Sequence, residues 1–186
     1  ITTFHSVNAD GSEKERLTVI AQAQNTHAFC CHKINSYNLS VTYRYNKKAW
    51  MLSELWYEYL QNLNDKMQIQ GRKIILITDN CPSHPHPNSP PDNYEGPILP
   101  ILTHLNLLYL PPNSTSKLQP LDQGIIASFK AAYHHQYADY MVQYFNHHGI
   151  SVPKLDILAS IYIMPDACES IPLLTISNCW KKSGLL

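Results

Sequence analysis

The spacing of apolar residues predicts two short strands, a helix and a further strand in the first part of the chain. Residues 16–24 begin with β-branched side chains and then alternate apolar and polar residues, and residues 39–45 show a similar short pattern, both typical of strands. Residues 49–67 carry apolar side chains at helical spacing, and Gly71 follows where a helix would end. The uninterrupted apolar run at residues 73–78 is typical of a central strand that is buried on both faces.

The next part of the chain is predicted to contain a loop, a strand and a long helix. Residues 82–100 include seven of the 13 prolines, so this segment is predicted to be a loop. Residues 105–110 form the next apolar run of strand length, and the long helix that follows ends at Gly149. The residues on the predicted apolar face of this helix are Ile126, Phe129, Tyr133, Tyr137, Tyr140, Met141 and Tyr144.

Two more helices are predicted near the end of the chain. The first covers residues 154–164. The second covers residues 175–184, with Thr175 as its N-cap and Gly184 at the C′ position. Because predicted helices alternate with buried strands, the fold class is α/β.

Length and composition set limits on the fold and on the partners. A chain of 186 residues, 44% of them hydrophobic, can form one domain with a substantial core. It contains no run of about 18 apolar residues that could span a bilayer, so we predict a soluble protein without membrane contact. Its 14 basic and 14 acidic side chains cancel, which excludes DNA binding through net positive charge alone.

The cysteines are expected to be free thiols. Five is an odd number in a chain without a secretory signal, which predicts reduced thiols in an intracellular compartment. Cys30, Cys31 and His32 could form half of a zinc site, but no second Cys/His pair follows at the spacing of a zinc finger. Free thiols are therefore the favoured interpretation.

Two aspartates follow predicted strands, at the positions where ligands bind in open α/β sheets. Asp79 comes directly after the strand at 73–78, and Asp122 lies at the start of the helix after the next strand. Taken singly, Asp79 could form an Asx turn and Asp122 could cap a helix. Two carboxylates that converge from separate segments are nevertheless typical of a site for Mg²⁺ or Mn²⁺, because these ions prefer oxygen ligands.

Two segments around these aspartates resemble a known family. The segments ITDNCPSH (77–84) and LLYLPPNSTSKLQPLDQGIIASFKAAY (107–133) resemble the DDE superfamily of endonucleases, specifically the pogo/Tigger branch of transposases, to which the jerky proteins and centromere protein B are related. The resemblance covers residues 12–186. It implies an RNase H-like fold, a mixed sheet flanked by helices, and an enzyme that cuts DNA and joins it to a new target.

The resemblance also implies the residues and ions of the site. Asp79 matches the second of three catalytic acids, with Asn80 and His84 in supporting roles. His84 would orient Asp79 or contact the phosphate, and the alternative for it is a residue that only caps a turn. Asp122 matches the third acid, with Gln119 in the same motif. Together with the first acid they would hold two Mg²⁺ or Mn²⁺ ions.

DNA is the expected partner, both as transposon ends and as target, and the expected location is the nucleus. The basic residues before the first long helix, Arg44, Lys47 and Lys48, are the best candidates for phosphate contacts, although a plain surface role is the alternative for each. The protein could also form a homodimer. No small-molecule substrate is expected.

The first acid of the family pattern has no match in this sequence. Asp10 lies in a hydrophilic, turn-like segment, and no strand or cap signal marks the first residues. We therefore expect residues 1–186 to be a single partial catalytic domain, truncated at its N-terminus and inactive by itself. The region at residues 25–40 is shorter than the family pattern, and the Pro-rich loop at 82–100 is interpreted as an insertion.

Two alternatives to a transposase domain stay open at this point. One is a domesticated, non-catalytic nuclear domain that associates with DNA and keeps the fold without the chemistry. The other is an RNase H-like nuclease that is unrelated to transposition.

Overall fold

A computed structural model describes residues 1–149 and 155–186 of the chain. The strands, in chain order, are β1 (Thr2–Phe4), β2 (Thr18–Ala21), β3 (Thr42–Tyr45), β4 (Ile74–Thr78) and β5 (Leu105–Tyr109). The α-helices are α1 (His27–His32), α2 (Ser53–Ile69), α3 (Thr115–Leu118), α4 (Ile126–His148), α5 (Ile157–Glu169) and α6 (Leu173–Lys182). The mixture of sheets and helices confirms the α/β class. Two compact units result: the first is Ile1–Trp50 with Pro120–Leu186, and the second is Met51–Gln119.

The first unit contains a three-stranded mixed sheet in the order β1, β2, β3. β1 is antiparallel to β2, whereas β2 and β3, the two short strands predicted from the apolar pattern, are parallel. A tight turn joins β1 to β2: the Asn8 N–H donates to the Glu13 carbonyl at 2.9 Å, and Gly11 has a φ of +80°. Asp10 lies in this turn, where its carboxylate accepts a hydrogen bond from the Ser12 N–H at 2.9 Å.

β1 is an element that the sequence pattern does not predict. Its three residues, Thr2, Thr3 and Phe4, show no alternation of apolar and polar side chains that would mark a strand. In the structure all three are half-buried. They pair with β2 in a register that sets Thr2 opposite Ile20 and Phe4 opposite Thr18. A strand therefore forms where the sequence shows no strand signal, because cross-strand pairing rather than local propensity orders this segment.

The segment between β2 and β3 forms α1 and a 3₁₀ turn at Ser36–Asn38. Thr26 caps α1, since its hydroxyl accepts a hydrogen bond from the Phe29 N–H at 3.2 Å. Phe29 is buried and packs edge-to-face against Tyr43 of β3, with ring centroids 5.0 Å apart. The region at 25–40 thus packs on the sheet, with this aromatic pair as one of its contacts.

Helices α4, α5 and α6 complete the core of the first unit. Val19 of β2, Phe129 of α4, Ile161 of α5 and Ile176 of α6 are all buried in one hydrophobic cluster. α4 ends at Gly149, which has a φ of +73°, as predicted from the preference of glycine for this conformation.

The start of α6 differs from the prediction, whereas its end agrees with it. α6 begins at Leu173 with Pro172 as its N-cap residue, so the prediction of Thr175 as N-cap is wrong. Proline starts the helix earlier because its fixed φ suits the first turn, where the Thr175 N–H donates to the Pro172 carbonyl at 3.0 Å. Gly184 follows the helix with a φ of +72°, as predicted. The predicted helix at 154–164 corresponds to α5, and its first residue lies outside the described residues.

The second unit contains α2, the short helix α3 and a two-stranded parallel sheet of β4 and β5. The predicted apolar face of α2 is confirmed, and its buried hydrophobic residues are Trp56, Tyr57, Leu60, Leu63 and Met67. The burial of this face against the sheet provides the hydrophobic stabilisation of the unit.

The loop between β4 and β5 contains no helix or strand from residue 79 to residue 104, which confirms the predicted Pro-rich loop. Its far end is tied to α2 by a buried amide. The Asn64 side-chain oxygen accepts hydrogen bonds from the Thr103 and His104 N–H groups, both at 2.9 Å. The loop therefore returns the chain to the start of β5 in a defined register.

β4 is not the doubly buried central strand that the sequence predicts. In the part of the chain that the structure describes, β4 pairs with β5 and with no other strand. Burial alternates across the pair: Thr78 and Leu105 are buried, whereas Ile75 is 64% exposed and Leu108 is 49% exposed. The prediction is wrong because an apolar run shows which residues tolerate burial, and the neighbouring elements decide which face is covered.

Among the described residues, no helix by itself has both the length and the apolar character of a membrane span. α5 and α6 taken together, with a bend of 74° between them, meet that criterion on length and composition only.

Candidate active site at the end of strand β4

The C-terminal end of β4 brings Asp79 and His84 into direct contact. Asp79 is the first residue after the strand. A turn then reverses the chain, because the His84 N–H donates to the Cys81 carbonyl at 3.0 Å. As a result, the Nδ1–H of His84 donates to Oδ1 of Asp79 at 2.6 Å, and the Thr78 hydroxyl lies 3.3 Å from the same nitrogen. The turn thus brings together two of the predicted site residues, and their roles stay a prediction.

The imidazole of His84 is held from the other side by helix α2. The Trp56 ring packs against it with a centroid distance of 4.4 Å and an interplanar angle of 33°. The indole N–H of Trp56 donates to the Pro85 carbonyl at 3.1 Å, which fixes the chain directly after His84. Since Trp56 is only 1% exposed, its own position is set by the core of the second unit.

Asp79 and His84 form an ion pair at neutral pH. Burial lowers the pKa of His84, but the hydrogen bonds to Asp79 and Cys81 and the nearby negative charge outweigh burial and raise that pKa to about 9. The hydrogen bond from His84 lowers the pKa of Asp79, against an opposing effect of burial. The side chains are 12% and 24% exposed, so water screens their attraction only in part.

Cys81 is the third polar group at this point of the chain. Its Sγ lies 3.0 Å from the Ser83 hydroxyl oxygen, and the side chain is half-buried. Burial raises the pKa of the Cys81 thiol, but hydrogen bonds with His84 and Ser83 leave that pKa below its ordinary value. One ligand atom from each of Asp79, Cys81 and His84 lies within 4.8 Å of the others, a spacing at which the three residues could hold a metal ion.

A cleft of about 540 Å³ opens beside this group. Its polar and aromatic lining residues are Asn80, Cys81, His84, His86, Ser89 and Tyr109. Burial raises the pKa of Tyr109 to about 12, so its hydroxyl stays protonated at neutral pH. Asn80, predicted in a supporting role, therefore lies at the edge of a polar cleft that adjoins Asp79.

Asp122 and Gln119 lie on other elements of the chain. Asp122 is exposed in a π-helical turn, Leu121–Ile125, that precedes α4. Gln119 ends α3, where its N–H donates to the Thr115 carbonyl at 3.0 Å. Asp122 belongs to the first unit and Asp79 to the second, so the convergence of the two carboxylates stays a prediction.

The predicted DNA-contacting residues lie at the end of β3 in the first unit. Arg44 is half-buried, and its guanidinium donates to the Tyr43 carbonyl at 2.8 Å. Lys47 and Lys48 are exposed in the turn after the strand, and the Lys48 ammonium lies 5.9 Å from the Trp50 ring centroid. Their role toward DNA stays a prediction.

Sequence reasoning missed two residues of the site, Cys81 and Trp56. Cys81 was assigned to the free thiols, although its position between Asp79 and His84 in a D-x-C-x-x-H spacing is a signal that could have placed it. Trp56 falls within residues 49–67, where the helical spacing of apolar residues predicts only a position on the buried face of a helix. No local signal distinguishes it there, because its contact with His84 depends on how the helix packs.

Comparisons with known proteins agree with the motifs at this site. The family model described as "DDE superfamily endonuclease" matches residues 1–180, a range that starts earlier than the resemblance seen in the sequence. Tigger transposable element-derived protein 4 of Mus musculus is 32% identical over 135 residues, which cover 73% of this chain and 23% of that protein.

Two further relatives match almost the whole chain. CENP-B homolog protein 2 of Schizosaccharomyces pombe is 29% identical over 100% of this chain and 35% of its own length. Tigger transposable element-derived protein 7 of Homo sapiens is 24% identical over 97% of this chain and 35% of its own length. The chain thus spans about a quarter to a third of the relatives that it matches. No solved structure matches it. The family model and these relatives together show that the chain belongs to the DDE superfamily endonucleases, in the branch that includes the Tigger-derived proteins and the CENP-B homologs.

Proposed function

We propose that this chain forms part of the catalytic domain of a pogo/Tigger-like DNA transposase that cleaves phosphodiester bonds and transfers DNA strands with the help of Mg²⁺ or Mn²⁺. The main support is the Asp79–His84 pair. It holds a carboxylate at the tip of a strand, with the 2.6 Å hydrogen bond keeping one oxygen in place. Because the chain spans only part of its relatives, the reaction is assigned to the longer protein rather than to residues 1–186 alone.

The donors at this site fit a divalent cation. The hydrogen bond from His84 favours the ionised form of Asp79, and a carboxylate is the ligand that Mg²⁺ and Mn²⁺ prefer. In this proposal Asp79 and Asp122 hold the ions, which would neutralise charge on the phosphodiester oxygens. His84 acts as a positioning residue that orients the Asp79 carboxylate, while Trp56 limits the movement of the imidazole.

The fold that we propose for this domain is RNase H-like. Support comes from the second unit, where a parallel strand pair follows a helix and delivers an acid at the end of its first strand. β4 has one edge that pairs with no other strand in the described residues. An additional strand on this edge would produce the larger mixed sheet that the family resemblance implies.

DNA is the proposed partner, and the nucleus is the proposed location. Arg44, Lys47 and Lys48 lie close together in sequence at the end of β3, which suits contacts with successive phosphates. The net charge of the chain is zero, so such contacts would have to come from local groups.

A second candidate function is a non-catalytic nuclear domain derived from a transposase. The observation that favours it is the kind of relatives found, since CENP-B homolog protein 2 and ARS-binding protein 1, both of Schizosaccharomyces pombe, match 100% and 77% of the chain. The second name states binding to ARS. In this alternative the domain would keep DNA association without strand cleavage.

The two functions are separated by an experiment on the longer protein that contains this chain. Supercoiled DNA is incubated with Mg²⁺, and nicking is followed for the wild type and for Asp79→Asn and Asp122→Asn variants. We expect nicking by the wild type and none by either variant. Asp92→Asn, which changes an exposed aspartate of the loop after β4, is the matched control and should nick like the wild type. Nicking that survives in D79N would overturn the assigned role of Asp79, and DNA binding without nicking in every form would favour the non-catalytic domain.

A further inference from the structure

We propose that the turn after β4 is a binding site for a thiophilic divalent cation, Zn²⁺ above all, in which Cys81 joins Asp79 and His84 as a ligand. This site goes beyond the proposed transposase function, because Mg²⁺ and Mn²⁺ prefer oxygen ligands and would not require the Cys81 sulfur. Zn²⁺ accepts all three ligand types and is commonly held by three protein ligands and one water.

The geometry of the turn supports this site. One ligand atom from each of the three residues lies within 4.8 Å of the others. Cys81 and His84 are brought to the same side by the hydrogen bond from the His84 N–H to the Cys81 carbonyl at 3.0 Å. Asp79 reaches this side as well, since its Oδ1 lies 2.6 Å from His84 Nδ1. A cation that binds here would take the place of the proton between Asp79 and His84.

The site is also held in place before any cation binds. The Trp56 ring packs against the His84 imidazole, and the Trp56 indole N–H holds the Pro85 carbonyl, so the histidine is already ordered. Ordering a ligand in advance reduces the entropy lost on binding. The cleft of about 540 Å³ is lined by Cys81 and His84, so it gives a cation a path to two of the three ligands.

Zn²⁺ and Mg²⁺ would compete for Asp79. A carboxylate oxygen that is bound to Zn²⁺ in a compact site with Cys81 and His84 is not available to a second ion in the arrangement that catalysis needs. Zn²⁺ is therefore expected to inhibit any Mg²⁺-dependent reaction at Asp79, a consequence that rests on the proposed function. The binding of Zn²⁺ itself does not rest on it.

Another thiol pair has to be removed before the site can be tested. On α1, Cys31 Sγ lies 3.5 Å from the ring nitrogens of His27, and Cys30 is exposed beside it. In the described residues, Asp79, Cys81 and His84 form the sole group with three such ligands, so α1 offers at most a weaker competing site. The Cys30→Ser, Cys31→Ser variant of the 186-residue chain is therefore the starting protein.

Co²⁺ is the probe for the first measurement, because a cobalt–thiolate bond produces a charge-transfer absorption in the near ultraviolet. We expect one Co²⁺ per chain with this absorption, its displacement by Zn²⁺, and no displacement by Mg²⁺. Adding Cys81→Ser should abolish the absorption and weaken Zn²⁺ binding by about 100-fold or more, since even ligand-supporting residues contribute 10- to 100-fold. Cys168→Ala, which removes a buried cysteine of α5, is the matched control and should keep both properties.

The second measurement is a Zn²⁺-soaked crystal structure of the same starting protein, which decides the question even if C81S does not fold. A zinc anomalous peak within bonding distance of Cys81 Sγ, Asp79 and His84 would support the site. A peak elsewhere, no peak, or an unchanged Zn²⁺ affinity in a folded C81S variant would overturn it. D79N in the longer protein separates the two proposals, since loss of nicking there tests catalysis without testing Cys81.

Discussion

The indole ring of Trp56 packs against the imidazole of His84, with centroids 4.4 Å apart, and so links helix α2 to the end of β4. Trp56 lies on the buried face of α2, and its N–H also donates to the Pro85 carbonyl at 3.1 Å. The position of His84, and through it that of the Asp79 carboxylate, therefore depends on the core of the second unit. Changes in that core should reach the candidate site.

Replacing Trp56 with alanine is expected to lower the free energy of unfolding by about 3–5 kcal/mol, because a fully buried aromatic side chain leaves a cavity. Trp56→Phe keeps a ring but loses the hydrogen bond to the Pro85 carbonyl. The loss of this hydrogen bond is expected to lower the free energy of unfolding by about 1 kcal/mol. Urea denaturation followed by circular dichroism measures both losses. Trp50 is 63% exposed, so Trp50→Ala is the matched control, with an expected change within about 0.5 kcal/mol. Equal losses for W56A and W50A would contradict the packing described above.

The Asp79–His84 pair predicts a loss of stability at alkaline pH. The pKa of His84 is raised from 6.5 to about 9 in the folded chain, so the folded state binds the proton more tightly than the unfolded state. This contribution is complete below pH 6.5 and is lost as the pH rises through about 9. Its size is about 1–3 kcal/mol.

The measurement is the free energy of unfolding at several pH values between neutral and alkaline, in the presence of EDTA to exclude metal ions. His84→Gln should lose stability at neutral pH and show a smaller decrease at alkaline pH than the wild type. His134→Gln, which changes an exposed histidine of α4, is the control and should follow the wild type. An alkaline decrease of the same size in H84Q and in the wild type would argue against the ion pair.

His5 predicts a separate loss of stability on the acid side. It is 8% exposed, packs edge-to-face against Phe129 with centroids 4.5 Å apart, and has a pKa lowered by burial to about 4. The folded chain therefore holds this imidazole neutral, and the stabilisation is complete above pH 6.5 and falls as the pH drops toward 4. His5→Leu removes the titrating group, so its stability should decrease less than that of the wild type between pH 6.5 and 4. Thermal melts across this range test the difference, and parallel curves for H5L and the wild type would contradict the prediction.

The backbone conformation of Gly124 predicts that a side chain at this position destabilises the turn around Asp122. Its φ is +152°, and a Cβ at this position would lie 3.1 Å from Cys179 Sγ. Gly124→Ala should therefore cost about 1–3 kcal/mol of backbone strain, with a further cost from the contact with Cys179. Gly71→Ala is the matched control, because Gly71 also has a positive φ, +63°, but no neighbour within 4 Å of the added Cβ. The melting temperature of G124A should fall further than that of G71A, and the opposite order would contradict the described turn.

Much of the secondary structure was predictable because its signals are local. The helical spacing of apolar residues in α2 and the positive φ of Gly149 at the end of α4 depend on a few adjacent residues. β1 had no such signal, since it exists through its pairing with β2. On the predicted apolar face of α4, Phe129 is buried and the other six residues are half-buried, because the degree of burial depends on what packs against a helix and not on the helix alone.

For the candidate site, the family motif, the placement of Asp79 directly after a strand and the short spacing between Asp79 and His84 can all be read from the sequence. These are properties of a short stretch of chain, so they can be deduced from local order. The contact of Trp56 with the imidazole and the covering of β4 on one face, by contrast, cannot be deduced from local order and follow from the packing of the folded chain. These features depend on how helices and strands pack, and residues that are distant in the sequence determine that packing.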